Sequence, residues 1–285
     1  MPEEILTLKD LEFKKFKKEG DGSFEGKIYF VNAEGELEIA AGRVTGKSSI
    51  NKFGATPDFD STDNWTTMWD GADDGGIDEM QYTYSASALI DSLSSDSASD
   101  TGDIEVQGLD TNWEMVTQTI TLTGLIRVAL TTDLRRVFRL KNVGSADFVG
   151  NIYCFEFTAD VGVDGIPDDT SKIRAVVQIG NNQTLMAIYT VPANCTGFMK
   201  NWFASLSGIV PAGVNVRVKI FVRPFGQVFQ LKHESALADD GTSATQHKFG
   251  TPEVLAEKSD IEIQVLSDSA VTSVAGGFDI ILEED

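Results

Sequence analysis

Val214–Arg223 reads VNVRVKIFVR, an alternation of apolar and polar residues in which Val216, Val218, Ile220 and Val222 share one face. A strand turns successive side chains to opposite faces, so this pattern demands a sheet with one face on a core. Ile261, Ile263 and Val265 repeat it. So does Met115–Leu122, where Val116, Ile120 and Leu122 oppose Thr117, Thr119 and Thr121. Working outward, β-branched and aromatic residues predict further strands over Asp103–Gly108, Leu134–Leu140, Asn151–Phe157, Ala175–Ile179, Leu185–Val191, Gly197–Leu206, Val228–Lys232 and Phe278–Leu282. Gly, Pro and Asn punctuate them at intervals of about ten residues, the spacing of a sandwich or jelly roll. No amphipathic helix longer than three turns is predicted. The fold class is all-β.

Three regions are expected. Residues 1–50 read as an N-terminal arm followed by a β-hairpin. In the arm, Leu11, Phe13 and Phe16 are interleaved with Lys14, Lys15, Lys17 and Lys18. The hairpin spans Lys27–Ala40, turning at Asn32-Ala-Glu-Gly35. Residues 51–160 form a β-sandwich module whose first half, 52–102, is loop-rich. Residues 161–285 form a second sandwich, jelly-roll-like, with Asp160–Asp169 (DVGVDGIPDD) as the main linker or a long crossover.

The 285 residues are 41% apolar and include 17 Phe, enough for a sizeable core. A net charge of -21 disfavours nucleic acid and anionic membranes as partners. The charge is segregated. The 74 residues between Lys52 and Arg127 hold 15 acids and no Lys or Arg. Arg127, Arg135, Arg136, Arg139 and Lys141 then follow within 15 residues. Such polarity either sets register between copies or is resolved by pairing within the fold. No basic start leads into an apolar run, and no apolar stretch reaches membrane-spanning length. Cys154 and Cys195 are expected as reduced thiols.

Catalytic patterns are thin. Gly42-Arg-Val-Thr-Gly46-Lys47-Ser48 is one residue short of a phosphate loop, and no helix is expected after it. His233 and His247 fall in polar stretches, and no nucleophile elbow accompanies them. Asp160, Asp164 and Asp168 outline a calcium loop that lacks its bidentate Glu, with Ser171 in that place, so they read as weak ligands or as solvated turn acids. Asp70, Asp73 and Asp74 are similar. Trp65, Trp69 and Trp113 lie in or beside the acidic segment, where aromatics serve as sandwich plugs, intersubunit anchors or sugar platforms. Neither a catalytic site nor a cofactor is expected. The interface candidates are Phe13, Phe16, Trp65, Trp69, Arg135 and Arg139.

Four phrases stand out: Lys52-Phe53-Gly54 with Pro57-Asp58 ahead of a tryptophan, Val106-Gln-Gly108-Leu109-Asp110, Arg136-Val137-Phe138-Arg139, and Thr190–Phe198 (TVPANCTGF) leading to Trp202. Together they resemble β-rich virion structural proteins of tailed, often marine, bacteriophages. The resemblance implies a structural component of the particle, made in the host cytoplasm and located in the virion. Its partners would be other virion proteins and copies of itself, as a homo-oligomer with a trimer among the options. A capsid decoration or head-associated role leads. A tail component, or a receptor- or glycan-binding module of a tail fibre, is the alternative.

Overall fold

The computed structural model describes residues 16–17, 23–24, 33–59, 65–72, 81–157, 161–207, 214–238, 243–268 and 272–285. The chain divides into two compact units, Met1–Thr45 and Gly46–Asp285. In the first, β1 (Phe16–Lys17) pairs antiparallel with β2 (Ser23–Phe24), placing Phe16 opposite Phe24. Most of the expected arm, Phe13 included, lies outside the described residues.

The second half of the expected hairpin is instead a helix, α1 (Ala33–Ala40, AEGELEIA). The alternation of Glu and Leu or Ile suggested a strand, but Ala, Glu and Leu are also strong helix formers, and here that propensity prevails. Gly42, at φ 68°, supplies the left-handed residue that ends such a helix, and Arg43 pairs with Glu38 at 2.6 Å.

The second unit is all-β among its described residues. Its strands are β3 (Lys47–Phe59), β4 (Thr66–Thr67), β5 (Ile90–Ser95), β6 (Asp103–Leu109), β7 (Met115–Thr121) and β8 (Val128–Leu134). Next come β9 (Arg136–Asn142), β10 (Ile152–Glu156), β11 (Ile173–Val177), β12 (Ile188–Thr190) and β13 (Cys195–Ser207). The last are β14 (Asn215–Arg223), β15 (Gln230–Ala238), β16 (Ala244–Leu255), β17 (Asp260–Ser267) and β18 (Thr272–Glu284). Every named pairing is antiparallel, as expected for an all-β chain built from local alternation.

Four sheets enclose two large cores, and a smaller cluster of Tyr153, Phe155, Ile173 and Val176 lies on β10 and β11. The sheets β12-β17-β14-β15 and β16-β13-β18-β3 face each other across the first, where Trp202, Phe278, Val216, Val218, Ile220, Ile261 and Ile263 are buried. The sheets β11-β10-β5-β8 and β7-β6-β9 enclose the second, with Leu93, Ile104, Val106, Leu134, Val137 and Ile152. Adjacent residues feed opposite cores at the junction. Met68 enters the first and Trp69 the second. Phe138 and Val137 divide in the same way, as do Ala187 and its neighbours Met186 and Ile188.

Strands pair across the expected division near residue 160. β3, from the expected first module, pairs along its length with β18, and β11, from the second, pairs with β10. Residues 161–169 therefore belong to the connection between the neighbouring strands β10 and β11, the crossover of the two expected alternatives. Gly165, at φ 80°, lies where an added Cβ would come within 1.8 Å of the Ser95 carbonyl oxygen, which ties the loop to β5. The expected loop-rich stretch 52–102 also contains most of β3, a 13-residue strand, and all of β5. Among the described residues no helix is long and apolar enough to cross a membrane.

Candidate functional site

Three of the quoted phrases, Lys52–Gly54, Val106–Asp110 and Arg136–Arg139, pack together at this junction. Lys52 is fully buried on β3 and donates its Nζ to the Phe138 carbonyl oxygen. Burial, with Arg139 nearby, holds its amine well below the usual lysine range. Gly54 presses the β3 backbone onto the Met68 and Ala187 backbone, and Gly108 lies against the Arg136 carbonyl. Asp110 accepts from the backbone N–H groups of Asn112 and Glu114, at 2.8 and 3.0 Å, and so shapes the β6–β7 turn. Arg139 reaches the Asn51 carbonyl at 3.0 Å. Lys52 and Arg139 thus join β3 to β9 of another sheet, while Gly108 and Asp110 shape the packing and the turn within the β7-β6-β9 sheet.

Over the junction lies a cleft of about 270 Å³. Its floor is Asp260, the first residue of β17, which is 4% exposed. Arg136 donates Nε to Oδ1 at 2.8 Å and Nη2 to Oδ2 at 3.2 Å. Arg223, from the end of β14, donates Nη2 and Nε to Oδ2 at 2.6 and 3.1 Å. Thr190 adds a hydroxyl donor at 2.6 Å. Arg136 also donates to the carbonyls of Ser85 and Arg135. Four separate stretches of chain are locked around one carboxylate.

Aromatic side chains wall the cleft. Tyr84 lies under the guanidinium groups of Arg223 and Arg136, at 4.5 and 5.0 Å. Trp113 meets Arg135 at 4.7 Å and Arg136 at 5.0 Å, and Phe225 stands edge-on to it at 5.5 Å. Trp113 has φ 67°, an outlier for so bulky a residue. It is held there by its N–H on the Asp110 carbonyl and by its own carbonyl on Ala193 N–H.

A second buried layer adjoins the first. Arg174 donates Nε to Glu156 at 3.1 Å and to Ser85 Oγ at 3.2 Å, while Ser85 Oγ donates to the same Glu156 oxygen. Tyr84 donates its hydroxyl to Glu262 at 3.0 Å, and Gln264 donates to the other carboxylate oxygen. Burial raises the Glu262 carboxyl to about 7, opposed only partly by those two donors and by Arg223. Glu262 therefore takes up a proton on folding between about pH 4.5 and 7, so its contribution to stability falls as pH rises through that window. Glu262→Gln, in which the Tyr84 hydroxyl can turn to accept, is expected to be about 2–3 kcal/mol more stable than the parent at pH 8 and equal to it near pH 4. Urea unfolding at the two pH values measures this, and a pH-independent difference would refute it.

The sequence candidates are distributed as follows. Trp69 is 1% exposed and edge-on to Tyr82, so it is a core plug and not an interface anchor. Trp65 is half-buried, with Lys219 Nζ 3.9 Å from its ring centroid. Arg135 borders the cleft and Arg139 binds β3. The segregated charge is resolved in part within the fold, because Arg127 pairs with Asp91 and Arg136 with Asp260. Asp164 accepts from Ile166 N–H, shaping its own turn, and Asp168 is exposed, while Asp160 lies outside the described residues. No group of three or more His, Cys, Asp or Glu is gathered for a metal among the described residues. Lys47 opens a strand and pairs with Glu283, so the region after Gly46 has no phosphate-loop geometry. His233 and His247 stack at 3.9 Å on β15 and β16. Cys154 and Cys195 are free thiols.

Sequence reasoning missed Arg223, Tyr84, Phe225 and Asp260. Asp260 and Glu262 occupy the polar face of an alternating strand, which reads as the solvent side. In the fold, that face is buried beneath Tyr84 and Ser85.

No protein-family profile matches the chain, and no curated protein sequence matches it. A structure of infectious bursal disease virus, Gx strain, is similar over 84% of this chain and 76% of that one, at 9% identity and a TM-score of 0.22. A likeness that loose carries no functional argument.

Proposed function

We propose that this chain is a non-enzymatic structural subunit of a tailed-phage virion that assembles through contacts between its copies and with other particle proteins. One observation carries the assembly part of this reading. Val228 (77% exposed) and Leu231 (47%) on the β14–β15 hairpin, and Val254 (62%) on β16, lie open outside the core clusters. Lys232–Glu253, at 2.7 Å, ties β15 to β16 beside them. Apolar side chains exposed on adjoining strands mark an interaction surface. The buried carboxylates of the junction support the non-enzymatic part: Asp260, Glu156 and Glu262 each accept from structural donors. The phage assignment comes from the resemblance of the junction phrases, and decoration of the head is favoured over a place in the tail.

Native mass spectrometry of the full chain, with mass spectrometry of purified phage particles, tests the reading. A multimer reduced to monomer by Val228→Asp or Val254→Asp, and present in particles in proportion to the shell protein, is the expected result. Low-copy recovery with tail parts would replace the head role by a tail role. A monomer at micromolar concentration that is missing from particles would overturn the proposal.

A further inference from the structure

We propose that the cleft between Trp113, Arg135, Arg136, Arg223 and Phe225 binds a single acidic sugar residue. Its carboxylate would lie on the guanidinium groups and its ring against the aromatic wall. This site does not depend on the assembly reading, since a monomer could carry it.

Charge is the first reason. The chain carries a net -21, yet three guanidinium groups line this cleft against one carboxylate, Asp260. Asp260 already accepts twice from Arg136 and twice from Arg223. That leaves Arg223 Nη1 without a hydrogen bond to any described residue. Arg135 donates Nη1 to the Ala86 carbonyl, and its Nε is buried with no acceptor. Arg223 Nη1 therefore has a charge-assisted bond to offer an arriving carboxylate, beside the positive charge of Arg135.

Preorganisation is the second. Asp260 and the Ser85 and Arg135 carbonyls fix Arg136, and Asp260 fixes Arg223, so little side-chain entropy remains to be lost on binding. Trp113 is held in a backbone conformation that bulky residues avoid, and such strain gathers at ligand clamps.

Shape selects the ligand class. The cleft, at about 270 Å³, falls just below the usual range for small-molecule pockets, with room for one ring rather than a polymer segment. Phe225, 62% exposed, offers an apolar face beside the cations. A terminal uronate or sialate has both required parts, a carboxylate and a C–H face.

Titration of the full chain with glucuronic acid and N-acetylneuraminic acid, by calorimetry and tryptophan fluorescence, tests this. Glucose and N-acetylglucosamine serve as neutral counterparts. Both acids are expected to bind, more weakly as salt rises, and the neutral sugars are not. Arg135→Gln and Arg223→Gln should each weaken binding tenfold or more, and Phe225→Ala severalfold. Arg217→Gln, an exposed arginine beside Trp65, should leave it unchanged. Arg135→Gln preserves every Asp260 contact, so it and Phe225→Ala decide the matter if Arg223→Gln does not fold. Absence of binding, equal binding of neutral sugars, or full affinity in Arg135→Gln would overturn the proposal. So would preference for a short peptide with a free C-terminal carboxylate.

Discussion

Asp260→Ala is expected to destabilise the protein by about 3–5 kcal/mol, the cost of removing one partner from a buried ion pair. The carboxylate accepts from Arg136, Arg223 and Thr190, and the Arg136 side chain is only 7% exposed. Its loss leaves a buried guanidinium facing only carbonyls and aromatic rings, and it removes the one contact common to β9, β12, β14 and β17. The melting temperature should fall by roughly 10 °C. Asp260→Asn, which keeps the shape but not the charge, should fall between. Replacing Arg136 by Met and Asp260 by Leu together should restore part of the loss, because the pair's desolvation cost goes with it. Glu234→Ala, which breaks an exposed pair with Arg217, should cost no more than about 1 kcal/mol. If thermal and urea unfolding put Asp260→Ala at the level of Glu234→Ala, the junction is not held by its ion pairs.

The second large effect concerns two copies of one tripeptide. Lys52-Phe53-Gly54 and Lys248-Phe249-Gly250 are identical in sequence. A Cβ on Gly54 would lie 2.4 Å from the Ala187 nitrogen and 2.6 Å from the Met68 carbonyl oxygen, two backbone atoms that hydrogen-bond to each other at 2.9 Å. Neither can retreat without opening the contact between β3 and the junction. Gly54→Ala is therefore expected to cost more than ~3 kcal/mol, at the upper end for overpacking. Around Gly250, on exposed β16, a Cβ would meet nothing within 4 Å. Gly250→Ala should be neutral or slightly stabilising, since the unfolded chain loses freedom. Urea midpoints of the two variants, measured side by side, read the difference directly. Equal midpoints would mean that β3 is free to shift away from Met68 and Ala187.

Much of the fold was legible in local pattern. The alternation in VNVRVKIFVR buries Val216, Val218, Ile220 and Val222, and the later run buries Ile261, Ile263 and Val265, all seven in one core. A strand's two faces follow from backbone geometry, so periodicity alone reports them. The same rule misled at AEGELEIA, where alternation and helix propensity pointed different ways, and at β16, whose exposed face has no apolar row to mark it.

Sequence by itself determined that this chain builds antiparallel sheets, which residues face a core, and that its charge is strongly segregated. Only the tertiary structure decided which strands pair, as with β3 and β18, whose partners Lys52 and Phe278 stand far apart in the chain. It also decided that Lys52 and Gly54 are buried while Lys248 and Gly250 are exposed, and that Arg136 meets Asp260 across 124 positions. The reason is physical. Alternation is set residue by residue along one strand, whereas register, a second buried face and the partner of a charge are set by segments distant in sequence that meet only on folding.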